Sequence, residues 1–357
     1  MHPAPARLFL LALLATFSHA AESPAVLKRE FLHDTAPFPS AHASTIVETT
    51  DGKIVAAYFG GKREGDASVG IWVQRFIEGK WTPPIEAANG EQPNAARQPC
   101  WNPVLFQPKD GSLMLFYKTG PSPSRWWGML RTSADAGATW SEARRLPDGI
   151  LGPIKNKPVQ LVNSDILCPT SSEHDGWRVH FERTGDLGNT WTTTSPPAVL
   201  AGQKEPSAIQ PSILFHAGGK LQALGRTRDA RIFETWSDDS GKSWTPLALT
   251  ALPNPNAGTD AVTLRDGRHL LVYNHSTKGR SPLNVAISKD GREWQAAAVL
   301  EDDPALPGDG FAYPACIQTR DGLVHITYTW RRQKIAHVIL DPAKLELRPI
   351  VEGAWPK

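Results

Sequence analysis

The chain has 357 residues, and its 38 Lys and Arg nearly balance 36 Asp and Glu, leaving a formal net charge of +2. The basic residues are scattered rather than clustered, which argues against a nucleic-acid partner. Cys100, Cys168 and Cys316 are too few for a disulfide framework and are expected to be buried free thiols. No Cys and His spacing is typical of a zinc site, and no metal or organic cofactor is implied.

The N-terminus is typical of a signal peptide. A weakly basic start with His2 and Arg7 precedes an apolar run, residues 8–17, that is too short to cross a bilayer, and Ser18-His19-Ala20 is a small-x-small cleavage site. The alternative is a buried N-terminal helix or an uncleaved anchor. We expect residues 1–20 to be removed and residues 21–357 to form one domain, secreted or periplasmic, with no membrane span.

Beyond residue 20, the composition favours an all-β fold. Proline, glycine and tryptophan number 31, 29 and 13, and no long stretch has a 3.6-residue period. Short Val, Ile, Leu and Phe runs instead alternate with Gly, Pro, Asn and Asp, as strands alternate with turns.

One turn motif, Ser-x-Asp-x-Gly-x-x-Trp, recurs along the chain. Its copies end at Trp140, Trp191, Trp244 and, in a form one residue shorter, Trp294, at spacings of 51, 53 and 50 residues. A decayed copy ends at Trp81. The Asp caps backbone N–H groups, the Gly accepts a positive φ, and the Trp is expected to pack between neighbouring sheets.

A second repeat consists of a hairpin of two apolar strands. Its turns lie at residues 51–52, 110–111, 163–165, 218–219, 266–267 and 321–322. All but the last hairpin are followed by a Trp motif, so each unit holds about four strands. Six such units predict a six-bladed β-propeller. Because the last Trp motif is missing, the strand at residues 25–31 is expected to complete the final blade beside the strands after Val324.

In a propeller the first strand of every blade lines one central channel. Eight residues before the hairpin turns lie Ala43, Asn102, Gln210 and Tyr313; at nearby levels lie His42, Trp101, Lys157 and Asp260. After the second strands come Arg63, Lys118, Arg226, Arg280 and Arg331, of which Lys118 and Arg331 are expected to be ordinary loop charges. The convergence of cations and a tyrosine predicts a pocket for a carboxylate or sulfate.

The Trp motif resembles the Asp-box of sialidases, and the blade layout resembles the sialidase superfamily across residues 21–357. Three segments strengthen the resemblance to bacterial and plant BNR-repeat, exo-sialidase-like proteins: residues 61–66 (GKREGD), 254–260 (NPNAGTD) and 311–315 (FAYPA). The resemblance implies an exo-α-sialidase-like glycosidase acting on a glycan.

The resemblance also implies roles for individual residues. Tyr313 matches the nucleophile and Asp66 the acid/base, while Arg226 and Arg280 match two arginines of the triad that binds the substrate carboxylate. We place Arg63, His42, Asn102, Gln210 and Asp260 among the substrate-binding residues. Trp101, and more so Trp126 and Trp127, could stack on sugar faces.

Two departures from the family pattern concern the substrate. The first strand carries His42 where the family has an arginine, and Gln210 stands where a Glu assists the tyrosine; Glu205 is a possible substitute. Low or altered sialidase activity is therefore expected. The alternatives are a glycosidase or lyase acting on uronic-acid or rhamnose-containing polysaccharide, and a non-catalytic glycan-binding propeller.

Overall fold

The computed structural model describes residues 23–306, 308 and 310–356. The predicted signal peptide, residues 1–20, lies outside these residues. The regular elements are β-strands and two short 3-10 turns, Ala217–Gly219 and Pro342–Lys344. No helix in the described ranges is long and apolar enough to cross a membrane.

The strands group into blades in chain order. The first blade holds β2 (Ser40–Glu48), β3 (Ile54–Gly61), β4 (Gly70–Ile77), β5 (Lys80–Trp81) and β6 (Ile85–Ala88), after β1 (Val26–Phe31). The second holds β7 (Cys100–Phe106), β8 (Leu113–Thr119), β9 (Trp127–Ser133) and β10 (Arg144–Arg145), and the third β11 (Val159–Gln160), β12 (Ile166–Ser172), β13 (Arg178–Thr184) and β14 (Thr192–Thr194). The fourth holds β15 (Ala208–Phe215), β16 (Leu221–Thr227), β17 (Arg231–Ser237) and β18 (Ala248–Pro253). The fifth holds β19 (Asp260–Thr263), β20 (His269–Tyr273), β21 (Leu283–Ser288) and β22 (Trp294–Glu301), with β26 (Arg348–Pro349) at its edge, and the sixth β23 (Phe311–Gln318), β24 (Val324–Trp330) and β25 (Lys334–Leu340).

Each blade is an antiparallel sheet whose strands follow one another in sequence, as the hairpin repeat predicts, except that β26 is added to the fifth blade and β1 to the sixth. The first strands β2, β7, β15, β19 and β23 neighbour one another around the centre. Each first strand begins at one end of the propeller and ends at a hairpin turn at the other end. We call the end at which the first strands begin the mouth. The six-bladed β-propeller prediction is confirmed.

The N-terminal strand closes the ring. β1 pairs with β25 antiparallel, with Val26 opposite Leu340 and Phe31 opposite Ala336, so the last blade is built from both ends of the chain. The Phe31 ring meets Trp330 edge-on at 5.3 Å. This confirms the closure predicted for residues 25–31.

Truncating Phe31 to Ala should weaken this closure measurably. Because Phe31 is half-buried, we expect a loss of about 1–2 kcal/mol in the free energy of unfolding, less than the roughly 3–5 kcal/mol of a fully buried phenylalanine. Urea denaturation measures the loss. Phe215→Ala, at a side chain that is 40% exposed, is the matched control and should change stability by less than about 0.5 kcal/mol; equal effects would mean that β1 does not hold the ring.

The Trp motif forms the turn that its sequence predicts. Ser133 Oγ donates to Asp135 Oδ1 at 2.8 Å, Thr139 N–H donates to the same oxygen at 2.8 Å, and Gly137 has φ 80°. The tryptophans of later copies reach the neighbouring blade: the Trp244 ring stacks on Phe181 with centroids 3.8 Å apart. The Trp244 copy therefore ties the fourth blade to the third.

Apolar side chains fill the spaces between adjacent blades. Cys100, Cys168 and Cys316 are fully buried free thiols within these layers, as expected from the sequence. Burial raises the pKa of the Cys100 thiol to about 12, so this side chain packs as a small apolar group.

Candidate active site

Four blades carry the same backbone distortion near the mouth. Ala43, Asn102, Gln210 and Tyr313 have φ of 55°, 37°, 57° and 52°, and each sits where the pairing of its first strand shifts register. A non-glycine residue in the left-handed region costs about 1–3 kcal/mol, and such strain concentrates at functional sites. These are the positions that alignment on the hairpin turns predicts to share one level of the channel.

Tyr313 lies at the centre of this level and is 9% exposed. Its phenol oxygen accepts a hydrogen bond from Arg226 Nη1 at 2.8 Å and one from Gln210 Nε2 at 3.3 Å. The same Arg226 nitrogen also donates to Gln210 Oε1 at 3.3 Å. Because the guanidinium is charged, it favours negative charge that develops on the phenol oxygen.

Positive charge surrounds the Tyr313 ring. The guanidinium carbons of Arg226 and Arg280 lie 5.7 and 5.8 Å from the ring centroid, and Lys155 Nζ lies 5.9 Å away. Burial lowers the pKa of Lys155 to about 8, with Asp260 opposing the change, so the amine is mostly protonated at pH 7. The cluster fits an anionic ligand.

Two side chains fix Arg226 in its place. Asn256 Oδ1 accepts from its Nη2 at 2.7 Å and from its Nε at 3.1 Å. The Trp177 ring lies 4.9 Å from its guanidinium carbon, a cation–π contact. Arg226 is thus positioned before any ligand binds, which lowers the ordering cost of binding.

His42 packs against Tyr313 with ring centroids 4.2 Å apart. Burial, aided by the charges of Arg332, Arg280, Arg226 and Lys155, holds the pKa of His42 well below its usual value, so the ring is neutral. Thr329 Oγ1 accepts from Ala43 N–H at 3.1 Å and lies 2.8 Å from His42 Nδ1. If the hydroxyl donates to Nδ1, the proton sits on Nε2, which has no hydrogen-bond partner within the described residues.

Asp66 lies on the loop between β3 and β4, at the mouth. A Cβ on the adjacent Gly65 would be 3.4 Å from the ring of Trp101, which lies near the start of β7. Asp66 Oδ1 accepts from Ser68 N–H at 2.9 Å. The Ser68 N–H and hydroxyl lower the pKa of Asp66, with further help from Lys62 and Arg63. Arg63 is exposed on the same loop.

Asp260 is engaged by neighbouring blades rather than exposed to the mouth. Its carboxylate pairs with Lys157 Nζ at 2.8 Å and accepts from Ser212 Oγ at 2.9 Å and Cys316 N–H at 2.8 Å. Burial alone would raise the pKa of Asp260, but Lys157 and Lys155 lower it overall. With partners from three other blades, Asp260 is better suited to hold the channel together than to contact a substrate.

The remaining predicted residues occupy different depths. Asn102 lies in the β7 bulge and is 5% exposed. Glu205 is exposed on the segment before β15. The side chain that contacts the Tyr313 hydroxyl is that of Gln210, not that of Glu205. Lys118 is buried and donates to the carbonyl of Pro153, and Arg331 pairs with Asp303 at 2.8 Å. Arg331 lies on a turn, as expected for a loop charge, but the same expectation is wrong for Lys118, which is fully buried within β8 because its ammonium is satisfied by a backbone carbonyl.

Three residues of the site were not among the predicted ones: Lys155, Asn256 and Trp177. The third hairpin turn spans residues 163–165, so the count of eight residues back from the turn reaches Lys155 if it starts at Asn163 and Lys157 if it starts at Asp165. The sequence alone does not decide between these two lysines. Asn256 lies in the 254–260 segment that carried the family resemblance. Trp177 lies in the β12–β13 connection, where no repeat marks a position.

No group of three or more His, Cys, Asp or Glu in the described part of the chain could hold a metal ion. The side chains at the mouth described above are a tyrosine, a loop carboxylate, two arginines and a neutral histidine.

Comparison with known proteins supports the assignment of family and fold. A family model described as a BNR repeat-like domain matches residues 52–326. No curated protein matches the chain. Among solved structures, a protein of unknown function from Dyadobacter fermentans is 19% identical over 89% of this chain and 99% of its own, with a TM-score of 0.68.

Two sialidase structures are also similar. The intramolecular trans-sialidase from Ruminococcus gnavus, solved with oseltamivir carboxylate, is 14% identical over 92% of this chain and 100% of its own, with a TM-score of 0.70. The NanB sialidase from Streptococcus pneumoniae is 13% identical over 90% of this chain and 71% of its own, also with a TM-score of 0.70. At these identities the likeness concerns the fold. With the family match spanning most of its length, the chain belongs to the family of BNR repeat-like domain proteins, and its fold is that of the sialidase structures.

Proposed function

We propose that this protein is a glycoside hydrolase of the sialidase type that releases a terminal carboxylated sugar from glycans. The observation that carries the proposal is the hydrogen bond from Arg226 to the Tyr313 oxygen, inside a cluster that also contains Arg280 and Lys155. A tyrosine nucleophile is the known sialidase exception to the use of two carboxylates. A neutral nucleophile avoids repulsion from the substrate carboxylate.

The proposal gives each of these residues a role. Arg226 and Arg280 bind the sugar carboxylate through charge-assisted hydrogen bonds. Tyr313 Oη forms a bond to the anomeric carbon as the bond to the leaving oxygen breaks, and Asp66 gives that oxygen a proton. Asp66 then acts as base on the water that releases the sugar. His42 offers a neutral N–H donor where the family has a third cation.

Gln210 limits the first step. Its Oε1 accepts from Arg226, and an amide is a far weaker base than the carboxylate that the family uses there. The phenol proton then leaves to solvent, helped by the guanidinium of Arg226. We expect slow turnover, or a substrate other than sialic acid.

A second candidate function follows from the same two departures. A pocket with two arginines and a neutral His42 holds a carboxylate less strongly than three arginines do, and this favours a different acidic sugar such as a uronic acid. The chain would then be a glycosidase or lyase acting on uronic-acid or rhamnose-containing polysaccharide.

A substrate panel tests both candidates. Purified protein lacking residues 1–20 would be assayed with sialosides, glucuronides, rhamnosyl-glucuronates and their uncharged analogues. We expect cleavage only of substrates whose terminal sugar is carboxylated. Cleavage of uncharged sugars alone would contradict the proposal, and binding without cleavage across the panel would make the protein a glycan-binding propeller.

Arg280→Met should weaken carboxylate binding without emptying the site of positive charge. We expect kcat/KM to fall about 10- to 100-fold, the value of one charge-assisted hydrogen bond of roughly 1.5–3 kcal/mol. Arg292→Met, in the Trp motif at the opposite end of the propeller, is the matched control. Equal rates for Arg280→Met and wild-type protein would remove Arg280 from the site.

We further propose that the mature protein works outside the cytoplasm, secreted or periplasmic, where glycan substrates are found. N-terminal sequencing of the protein exported by its natural host tests this proposal. A mature N-terminus at Ala21 is expected, and a retained Met1 would contradict it.

A further inference from the structure

The ammonium of Lys155 lies beside the Tyr313 ring, and protein acceptors engage all of its protons. Lys155 is buried, and its Nζ donates to Asn156 Oδ1 at 2.8 Å, to the carbonyl of Thr259 at 2.9 Å and to the carbonyl of Pro314. An ammonium has three N–H donors and no acceptor. A direct hydrogen bond from Lys155 to a substrate carboxylate would therefore require one of these three bonds to break.

The acceptors of Lys155 belong to segments that carry the rest of the site. Pro314 follows Tyr313 in β23 of the sixth blade, and Thr259 precedes Asp260, the first residue of β19 in the fifth blade. Lys155 itself lies in the connection that leads to β11 of the third blade. One ammonium therefore links three blades at the level of Tyr313.

Asn156 extends this link to the fourth blade. Its Oδ1 accepts from Lys155, so its Nδ2 is turned toward the carbonyl of Gln210, to which it donates at 2.9 Å. The side chain of Gln210 in turn donates to the Tyr313 oxygen at 3.3 Å. Because Asn156 holds the backbone of Gln210, it also determines where the Gln210 amide meets the phenol.

The backbone held in this way is strained. Gln210 and Tyr313 have φ of 57° and 52°, and the register shifts leave residues 210–211 and 313–314 without paired partners in the neighbouring strand. At these two bulges the carbonyls of Gln210 and Pro314 accept from Asn156 and Lys155. Strained conformations persist only where the surrounding structure over-determines them, and these hydrogen bonds supply that constraint.

We propose that Lys155 and Asn156 are positioning residues that hold Tyr313 and Gln210 in their strained conformations, and that Lys155 makes no direct hydrogen bond to the substrate. The consequence for catalysis rests on the proposed function, whereas the effect on the conformation of Tyr313 does not. The charge of Lys155 still adds to the positive potential around the ring, while its hydrogen bonds fix the backbone.

Lys155→Met removes the ammonium and keeps a side chain of similar length. On the acidic glycoside that the wild-type protein cleaves, kcat should fall about 100-fold, the cost of a misplaced reacting group, while KM changes by less than about threefold. The matched control is Gln74→Met. Gln74 is also buried and donates to two backbone carbonyls, those of Leu32 and Thr82, away from the central site. Both variants should lose stability in urea, but Gln74→Met should keep its kcat.

Asn156→Ala gives a second test that leaves the charge of the site unchanged and needs no turnover. Protein labelled with ¹³C in its tyrosine rings is observed by NMR, and the Tyr313 signal is identified by its loss in Tyr313→Phe. We expect this signal to move in Asn156→Ala, because the Gln210 carbonyl loses its donor and the amide at the phenol shifts. The Tyr313 signal should stay in place in Gln74→Met.

Three results would overturn the proposal. These are a rise in KM of about tenfold or more in Lys155→Met with kcat unchanged, which would make Lys155 a substrate ligand, an equal loss of kcat in Gln74→Met, or an unmoved Tyr313 signal in Asn156→Ala. If Lys155→Met does not fold, or if wild-type protein cleaves nothing in the substrate panel, the Tyr313 signal decides alone. In the second case the proposed function fails, and a signal that moves in Asn156→Ala leaves the positioning role standing.

Discussion

Tyr313→Phe is expected to lower kcat by about 1,000-fold or more, since it removes only the oxygen that bonds to the sugar. The ring that packs on His42 is retained, and Arg226 keeps its two hydrogen bonds to Asn256. We therefore expect KM and the unfolding midpoint to change little. Steady-state kinetics on whichever acidic glycoside the wild-type protein cleaves, with thermal unfolding of the same samples, measures all three quantities.

A matched tyrosine elsewhere serves as the control. Tyr58 is fully buried and its hydroxyl donates to Gln74 Oε1 at 2.6 Å, away from the central site. Tyr58→Phe should keep its kcat even if it loses stability. A Tyr313→Phe variant that retains more than about a tenth of wild-type kcat would exclude a covalent role for this oxygen.

Asp66→Ala is expected to lower kcat by roughly 100- to 10,000-fold on an oligosaccharide while leaving substrate binding nearly unchanged. The loss should be much smaller on an aryl glycoside, because a phenolate leaves without being protonated. Asp110→Ala, an exposed carboxylate in the β7–β8 turn, is the control. Equal losses on the two substrates would assign Asp66 to binding or folding rather than to proton transfer.

The pKa of Asp66 gives this reaction a pH dependence of defined sign. Its pKa in the free protein is lowered by the Ser68 N–H and hydroxyl, so at neutral pH most molecules carry the carboxylate. The protonated form that donates to the leaving oxygen grows as pH falls. On an oligosaccharide, kcat/KM should therefore rise from pH 7 toward pH 5, and Asp66→Ala should lose that rise.

The repeat made most of the fold predictable from the sequence. Counting back from Asp51, Asp110, Gly218 and Asp321 reaches the four residues that share a left-handed bulge at the mouth. Closure by the N-terminal strand followed from a missing Trp motif. These predictions succeed because hydrogen-bonded hairpins fix the register, and register fixes the level of a side chain along the channel.

Strand register does not determine how buried a side chain is or which residues it contacts. Asp260 is at the expected level, but Lys157 and Ser212 engage its carboxylate. Trp126 is buried, whereas Trp127 next to it lines a cavity. Such differences depend on loops between blades, whose paths are set by long-range packing rather than by local pattern.

Covalent labelling tests the central claim most directly. The protein would be incubated with a 2,3-difluoro analogue of the acidic sugar that it cleaves, digested and examined by tandem mass spectrometry. We predict that the peptide containing Tyr313 gains the mass of the sugar and that Tyr313→Phe gains none. A label on any other residue, or unlabelled protein under conditions in which the parent glycoside is turned over, would contradict nucleophilic attack by Tyr313.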